Sequence, residues 1–229
     1  MDGCSIAVDE VPARVDFAGG WLDVPQLARP DGRIANCTIT PAISLDKPHY
    51  NHGGGVGGSA SYAALKGRDP VQAELDSGCG WQDGAIVQET GLCVWQSGQV
   101  PRLLCKVPGA MLRGRMSLTW SGMPHSTPDL LHKPRDYDAI TAAGGVAYSA
   151  ICRDDYMRLC LATLMSYRLQ TDEGMAPIKL GARCLAAKYC GSGWGGYILR
   201  MYERTGHRDA AVRDDASTFA IEPYIRNWA

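Results

Sequence analysis

Five of the six residues from Gly53 to Gly58 are glycine, and this run constrains the fold more than any other feature of the chain. Glycine loses more conformational freedom on folding than any other residue, so the run predicts a loop rather than a helix or a strand. The small residues that follow, Ala60 to Leu65, predict a helix that Gly67 and Pro70 end. A loop that leads into a helix N-terminus can direct several backbone N–H groups at a phosphate chain, and a plain glycine-rich loop is the alternative.

Two common phosphate-binding loops do not fit this run. Gly53, Gly55 and Gly58 satisfy the G-x-G-x-x-G spacing, but the residues before them, Pro-His-Tyr-Asn-His, do not form the apolar strand that a dinucleotide site requires. The lysine of a Walker A motif is also missing after the glycines. His49 and His52 have no third ligand nearby in the sequence, so a polar loop explains both better than a metal does.

Composition favours a compact globular protein with one large core or two small ones, since 45% of its 229 residues are hydrophobic. The 23 basic and 24 acidic residues are interspersed and leave a formal net charge of −1. No field of that size attracts polyanions, so we expect no nucleic-acid partner. Nothing in the sequence indicates an oligomeric state.

The cysteines and the chain's start favour a cytoplasmic protein. Nine cysteines are scattered from Cys4 to Cys190 without a C-x-x-C pair, which is typical of reduced thiols in a cytoplasm. The start carries Asp9 and Glu10 where a signal peptide would need a basic and then an apolar segment. The longest uncharged stretch, Ala139 to Cys152, is too short to span a bilayer, so we expect no membrane anchor.

Patterns of alternating and β-branched residues predict that the first half is rich in strands. The predicted extended segments are Ile6–Val8 and Ala13–Phe17, separated by Pro12, then Arg33–Ser44, a hairpin within Ile86–Lys106 with turns at Gly91 and Ser97–Gly98, and Met116–Trp120.

The second half begins with a predicted helix that has Asp154 as its cap. Its predicted apolar face consists of Met157, Cys160, Leu161, Leu164 and Met165. The remaining predicted elements are a helix at Ile178–Ala187, a strand at Tyr197–Tyr202, a helix at Arg208–Ala216 and a strand at Thr218–Ile221. Strands and helices in both halves predict an α+β fold, without an internal repeat.

Several polar and aromatic side chains are candidates for chemistry. Asp83 could accept the proton of a hydroxyl that attacks a phosphate, although an Asp-Gly pair is more often a turn. Arg14 could stabilise charge on a moving phosphoryl group, or simply lie solvated at the surface. Asp23 could accept hydrogen bonds from two sugar hydroxyls, or form a turn. Trp21 and Trp81 offer an apolar face for a sugar, but core positions are the better interpretation of both.

Four segments together resemble the ordered motifs of the GHMP family of small-molecule kinases. They are Arg14-Val-Asp-Phe-Ala-Gly-Gly-Trp-Leu-Asp23, the glycine run continued to Ser61, Gly80-Trp-Gln-Asp83 and Gly191-Ser-Gly-Trp-Gly-Gly196. The chain is most similar to the branch of the fucokinases and the D-glycero-D-manno-heptose 7-phosphate kinases, whose first motif also has Arg-x-x-Phe, paired glycines, an aspartate and a proline.

The resemblance implies a two-lobed α+β fold with mixed or antiparallel sheets and packed helices. Residues 1–133 would form the lobe that binds ATP and substrate, and residues 134–229 the C-terminal lobe. The implied reaction transfers the γ-phosphate of ATP to a hydroxyl, with Asp83 as base and Arg14 as charge stabiliser. In this branch the acceptor is the anomeric hydroxyl of a fucose- or heptose-like sugar.

The resemblance also implies the binding residues. ATP would contact Gly53, Gly54, Gly55, Gly57, Gly58, Ser59 and Ser61; the sugar would contact Asp23, Gly20, Gly193 and Gly195; and Mg²⁺ would be held by Ser59 and Glu74, with Asp76 as the alternative to Glu74.

The chain departs from the family in two ways. Gly58 stands where the family commonly has serine. The chain is also shorter than typical members, between Pro25 and His52 and between Leu65 and Gly80, where relatives hold adenine and carry an acidic magnesium ligand. An inactive nucleotide- or sugar-binding protein and a kinase for another small alcohol are therefore the alternatives, whereas the charge balance argues against a nucleic-acid-binding module.

Overall fold

The computed structural model describes residues 9–47, 49–124 and 130–226, so the predicted segment Ile6–Val8 lies outside the described residues. The α+β prediction is confirmed. The strands are β1 (Val11–Ala18), β2 (Arg33–Ile43), β3 (Leu92–Gln96), β4 (Arg102–Val107), β5 (Met116–Trp120), β6 (Cys184–Tyr189), β7 (Tyr197–Tyr202) and β8 (Thr218–Pro223). The helices are α1 (Gly58–Leu65), α2 (Pro70–Asp76), α3 (Gln82–Ile86), α4 (Tyr137–Cys152), α5 (Tyr156–Asp172) and α6 (Thr205–Asp214).

The strands form one antiparallel sheet in the order β4-β3-β2-β8-β5-β7-β6, and β1 pairs with β2. The last strand, β8, pairs with both β2 and β5, so it joins the first strands to those of the second half. The division into lobes at residue 133 stays a prediction. Within β1, Arg14 pairs with Thr38 and Asp16 with Asn36. Because side chains alternate along a strand, Arg14 and Asp16 project from the same face.

The main core lies between the sheet and the helices α4 and α5. Every residue of β1 is buried, and Phe17 packs in one cluster with Ala143 of α4 and Leu159 of α5. Small residues on α4 allow it to lie directly on β2: a Cβ atom on Gly144 would be 2.1 Å from the carbonyl oxygen of Arg33. None of the helices in the described ranges is long and apolar enough to cross a bilayer.

Three sequence predictions of secondary structure are wrong. Pro12 does not interrupt the first strand, because it lies within β1 at a register shift between Val11 and Ala13, where a missing N–H is tolerated. Ile86 ends the short helix α3 instead of opening a hairpin. The predicted helix Ile178–Ala187 is absent: no helix is found in 176–183, and Cys184–Tyr189 forms β6 by pairing with β7.

Helix α5 begins later and is rotated relative to the prediction. Its N-cap is Asp155, whose carboxylate accepts a hydrogen bond from the N–H of Arg158 at 2.9 Å. Of the predicted apolar face, Met157 and Leu161 are 59% and 52% exposed. The buried face is formed by Tyr156, Leu159, Cys160, Ala162, Thr163 and Gln170. The contacts with α4, β1 and β6 decide this orientation, and hydrophobicity alone does not.

Candidate active site

Most of the predicted site residues line one cleft of ≈820 Å³. The cleft lies between the glycine loop, the segment that follows β1, and the helices α2 and α3. The predicted residues that line it are Arg14, Gly20, Asp23, Gly53, Gly54, Gly55, Gly57, Gly58, Ser59, Glu74 and Asp83. The fold therefore brings the first three of the four sequence segments to one place.

Arg14 and Asp83 form a charged pair inside this cleft. Nε and Nη2 of Arg14 each lie 2.6 Å from Oδ1 of Asp83, and Nη1 donates to the carbonyl of Gly55 at 2.6 Å. Burial opposes the charge of Arg14, but the carboxylates of Asp83 and Asp16 outweigh it and raise the pKa of the guanidinium. Arg14 is therefore a fixed cation. Asp83 stays 17% exposed to the cleft, where a substrate can reach it.

The glycine loop needs its glycines. Gly53, Gly55 and Gly57 have φ of +66°, +73° and +73°, a region that residues with a side chain rarely adopt. A Cβ atom on Gly57 would also lie 3.0 Å from Cγ of Arg14. Gly58 begins α1, and no side chain of the described residues caps that helix. The first N–H groups of α1 thus lie at the cleft without side-chain partners, as an anion site requires.

Ser59 and Glu74 bring two hard oxygen ligands together. The hydroxyl of Ser59, on α1, donates to Oε1 of Glu74, on α2, at 2.5 Å. Burial, and next the charge of Asp83, raise the pKa of Glu74 to about 7. Such a donor set suits Mg²⁺, which takes one or two protein oxygens and completes its shell with phosphate and water. In the described residues no three His, Cys, Asp or Glu side chains form a metal group, so a fully protein-built cage is not found.

Asp76, the alternative to Glu74, lies on the outside of α2. Its carboxylate accepts a hydrogen bond from Nε2 of Gln72 at 2.6 Å on the same exposed helix surface. It is not among the residues that line the cleft. The geometry therefore favours Glu74.

Asp23 is a buried carboxylate at the cleft wall, only 3% exposed. It accepts hydrogen bonds from the backbone N–H and from Nε2 of Gln82, at 3.3 and 3.1 Å. A Cβ atom on Gly80 would be 1.8 Å from Oδ2 of Asp23, which explains why glycine opens the segment Gly80-Trp-Gln-Asp83. Burial, and next the charge of Asp83, raise the pKa of Asp23 to about 7.

The two candidate tryptophans differ in position. Trp81 is fully buried and its indole N–H donates to the carbonyl of Gly98 at 2.9 Å, so it is a core residue. Trp21 lines the cleft with φ of +76°, an uncommon value for a bulky residue. The guanidinium of Arg135 lies 3.6 Å from the centre of the Trp21 ring and stabilises it through a cation–π contact.

Three predicted ligand contacts lie outside the cleft lining. Ser61 is buried, and its hydroxyl donates to the carbonyl of Pro12 at 2.8 Å. A Cβ atom on Gly193 would be 2.4 Å from Sδ of Met175, and one on Gly195 would be 2.8 Å from the carbonyl of Met123. These two glycines serve close packing within the protein. Two other residues of that segment, Gly191 and Ser192, line the cleft instead.

Two buried charges next to the site, Asp16 and Lys188, were not predicted from the sequence. Lys188, on β6, donates through Nζ to Oδ2 of Asp16, and Asp16 in turn accepts from Nη1 of Arg14 at 3.1 Å. Burial opposes the negative charge, but Lys188 and then Arg14 hold the pKa of Asp16 below its usual value. The alternation Arg14-Val-Asp16 within a strand and a lysine inside the otherwise apolar β6 were the available indications.

Comparison with known proteins shows a match in structure only. No protein-family model and no curated protein matches the chain. Among solved structures, Methanococcus jannaschii mevalonate kinase aligns over 99% of this chain and 100% of its own, with a TM-score of 0.68 and 13% identity. L. major mevalonate kinase in complex with R-mevalonate aligns over 94% of both chains, with a TM-score of 0.65 and 15% identity.

A sugar-phosphate enzyme shares the same architecture. A D-glycero-D-manno-heptose 1-phosphate kinase from Bacteriodes thetaiotaomicron aligns over 94% of this chain and 95% of its own, with a TM-score of 0.62 and 14% identity. These alignments span nearly the whole of each chain, so the likeness is not confined to one motif. The chain has the fold of the GHMP family of small-molecule kinases.

Proposed function

We propose that the protein is an ATP-dependent kinase that phosphorylates a hydroxyl of a small sugar. The observation that carries this proposal is the Arg14–Asp83 pair, with Nε of Arg14 2.6 Å from the carboxylate and Nη1 2.6 Å from the carbonyl of Gly55 in the glycine loop. A fixed cation, a carboxylate and a phosphate-binding loop in one cleft are the groups that phosphoryl transfer requires.

The glycine loop and α1 would bind the phosphates of ATP. Backbone N–H groups of residues 53–58 and the positive end of α1 provide neutral donors, and Arg14 adds a positive charge beside them. This arrangement lowers the energy of the negative charge that is spread over the phosphoryl oxygens in the transition state.

Asp83 would receive the proton of the attacking hydroxyl. As the sugar oxygen bonds to the γ-phosphorus and the bond to the ADP oxygen breaks, Asp83 takes the proton and Arg14 stabilises the charge that develops. Because the transition state of phosphoryl transfer is loose, positioning and electrostatics matter more than the strength of the base. A carboxylate that is hydrogen-bonded to arginine can therefore act in this role.

The sugar would lie between Asp23 and Trp21. The Asp23 carboxylate can accept hydrogen bonds from neighbouring sugar hydroxyls, while the indole of Trp21 can cover an apolar face of the ring. The motif resemblance to fucokinases and heptose kinases supports a fucose- or heptose-like sugar, with the anomeric hydroxyl as acceptor. Screening free sugars and heptose derivatives for ADP release under reducing conditions tests the proposal. Binding of ATP without ADP release for any sugar or small alcohol would favour a non-catalytic binding protein.

Magnesium would be held by the Ser59 hydroxyl and the Glu74 carboxylate. When bound there, the ion supplies positive charge to the phosphates of ATP.

We expect Glu74→Gln to raise the magnesium concentration for half-maximal turnover by about 10-fold, because the amide still accepts from Ser59 but carries no charge. Asp76→Asn, on the outer surface of the same helix, is the matched control and should titrate like the parent. An unchanged titration for Glu74→Gln would remove this residue from the metal site.

Gly57→Ala tests the phosphate loop, with Gly67→Ala as its control. Both glycines have positive φ, +73° and +67°, so each alanine should cost about 1–2 kcal/mol of stability. Only the Gly57 variant pushes a Cβ atom against Arg14, since nothing lies within 4 Å of a Cβ on Gly67. We expect both variants to lose Tm, with the larger loss in Gly57→Ala, and the affinity for an ATP analogue to fall about 10-fold in Gly57→Ala alone, as calorimetry would measure. Equal affinities in the two variants would contradict the role of this loop.

A further inference from the structure

Four buried or nearly buried charges form a continuous chain that ends at the cleft. Lys188 contacts Asp16, Asp16 contacts Arg14 at 3.1 Å, and Arg14 contacts Asp83 at 2.6 Å. The side chains of Lys188, Asp16 and Arg14 are 2%, 1% and 3% exposed. Signs alternate along the chain, so the positive and negative charges balance. Arg14 and Asp83 line the cleft, whereas Lys188 and Asp16 lie behind them and are not among its lining residues.

Asp16 is the junction of this chain. Its Oδ1 accepts from Nη1 of Arg14 and from the backbone N–H of Gly191 at 2.9 Å, while its Oδ2 accepts from Lys188. Lys188 also donates to the backbone carbonyl of Asp16 at 3.3 Å. Since Arg14 contacts the carbonyl of Gly55 as well, the junction connects β1, the glycine loop and the turn between β6 and β7.

Such a chain is a costly way to obtain stability alone. Removing charges from water carries a desolvation penalty, and an apolar residue of similar volume at position 188 would often serve stability equally well. A role in fixing the position of the Arg14 guanidinium explains why these charges are present. Without Lys188, the carboxylate of Asp16 competes with Asp83 for the donors of Arg14. Without Asp16, Nη1 of Arg14 loses an anchor and the guanidinium can turn.

We propose that Asp16 and Lys188 are positioning residues for phosphoryl transfer, because they hold the guanidinium of Arg14 against Asp83 and link it to the β6–β7 turn. The kinetic part of this inference rests on the proposed kinase activity. Neither residue touches the reacting atoms, so their effect should fall on kcat and not on ATP binding.

The kinetic experiment compares Asp16→Asn, Lys188→Met and the double variant. Each single variant should lower kcat about 10–100-fold with the KM for ATP changed less than about 3-fold, because the misplaced group stabilises the transition state. The double variant is electrically balanced and should regain most of the lost Tm, but not the lost kcat. Lys188→Arg keeps the positive charge, so its kcat should be close to that of the parent and well above that of Lys188→Met. Recovery of kcat in step with Tm in the double variant would overturn the proposal.

A second measurement needs no substrate. In the parent, the Arg14 Nε–H is buried and bonded to Asp83, so it should exchange slowly with solvent by ¹⁵N NMR; both single variants should exchange at least about 10-fold faster. Arg208→Met removes another buried cation, which pairs with Glu222 outside the cleft lining, and should leave this proton unaffected. Unchanged exchange in both single variants would refute the positioning role. If the parent turns over no substrate, the kinase proposal fails and the NMR result still decides this one.

Discussion

Asp83→Asn should reduce kcat by about 10²–10⁴-fold, the range typical for loss of a general base, while ATP-analogue affinity stays within about 3-fold of the parent. Asparagine keeps the size of the side chain, and its carbonyl oxygen can still accept from Nε of Arg14, which donates to Asp83 at 2.6 Å in the parent. What is lost is the acceptor for the hydroxyl proton. ADP release at saturating substrate and calorimetry with an ATP analogue measure the two quantities.

Asp172→Asn is the matched control for this substitution. Asp172 is 55% exposed on α5 and pairs with Arg168 four residues earlier, an ion pair of the kind that contributes at most a few tenths of a kcal/mol. We expect its turnover to equal that of the parent. If Asp83→Asn also turned over at the parental rate, Asp83 would be only a helix-turn residue and the proton would leave by another route.

Local patterns were sufficient for much of the fold. Met116–Trp120 and Tyr197–Tyr202 form strands with the predicted bounds. The predicted turns flank β3: Gly91 immediately precedes this strand, and Ser97–Gly98 follows it before β4 begins. In these segments the intrinsic preferences and the tertiary pairing agree. Glycines next to alternating apolar residues leave few alternatives.

The region 178–187 shows where local patterns were insufficient. Its alanines and leucines favour a helix, yet Cys184–Tyr189 forms the edge strand β6 through hydrogen bonds to β7. The backbone of Arg183 has φ of +62°, which is incompatible with a right-handed helix that continues into Cys184. Pairing with a strand that follows later in the chain outweighs helix propensity, which amounts to only a few tenths of a kcal/mol per residue.

Three of the candidate side chains that the motifs supplied lie together in the cleft, while their catalytic roles stay predictions. Arg14, Asp23 and Asp83 all face the cleft, because each belongs to a segment whose glycines allow close approach of the backbone. Whether Glu74 or Asp76 faces the cleft depends on which side of α2 is turned toward it. The sequence of so short a helix, with seven residues, does not determine that side.

The positioning charges were not predictable in the same way. Lys188 and Asp16 are 172 residues apart in sequence, and neither lies at a glycine. A lone lysine inside an apolar strand indicates a buried partner, since a charge is seldom fully buried unpaired. It does not indicate which carboxylate that partner is. Only the tertiary packing that places Lys188 of β6 against Asp16 of β1, together with the turn at Gly191, decides this.

Three carboxylates share the cleft, and this crowding opposes stability. The charge of Asp83 adds to burial in raising the pKa of both Asp23 and Glu74 to about 7. At neutral pH the folded protein therefore retains protons that the unfolded chain would release. The three carboxylates also provide oxygen acceptors close to the glycine loop, and such a trade between function and stability is common in active sites.

Asp23→Asn should make the protein more stable at pH 8 and a poorer enzyme. In the parent, the pKa of Asp23 is about 7 in the folded state against a usual value of 3.8, so the unfolding free energy falls as the pH rises from about 4 to about 7. Below pH 4 the carboxyl is protonated in both states and the full contribution is present. Asparagine does not titrate, so its pH dependence over this window should be shallower.

We expect Asp23→Asn to gain about 4 kcal/mol at pH 8, or about 10 °C in Tm, and to equal the parent near pH 4. The Asn amide can pair with Gln82, whose Oε1 is buried without a hydrogen-bond partner.

With the sugar that the parent phosphorylates, KM should rise about 10–100-fold, because a charged acceptor contributes about 1.5–3 kcal/mol per hydrogen bond. Asp172→Asn, on the exposed surface of α5, removes one negative charge as well and controls for a simple change in net charge. A parallel pH–Tm profile for Asp23→Asn and the parent would show that Asp23 is ionised at neutral pH, and an unchanged KM would place the sugar elsewhere in the cleft.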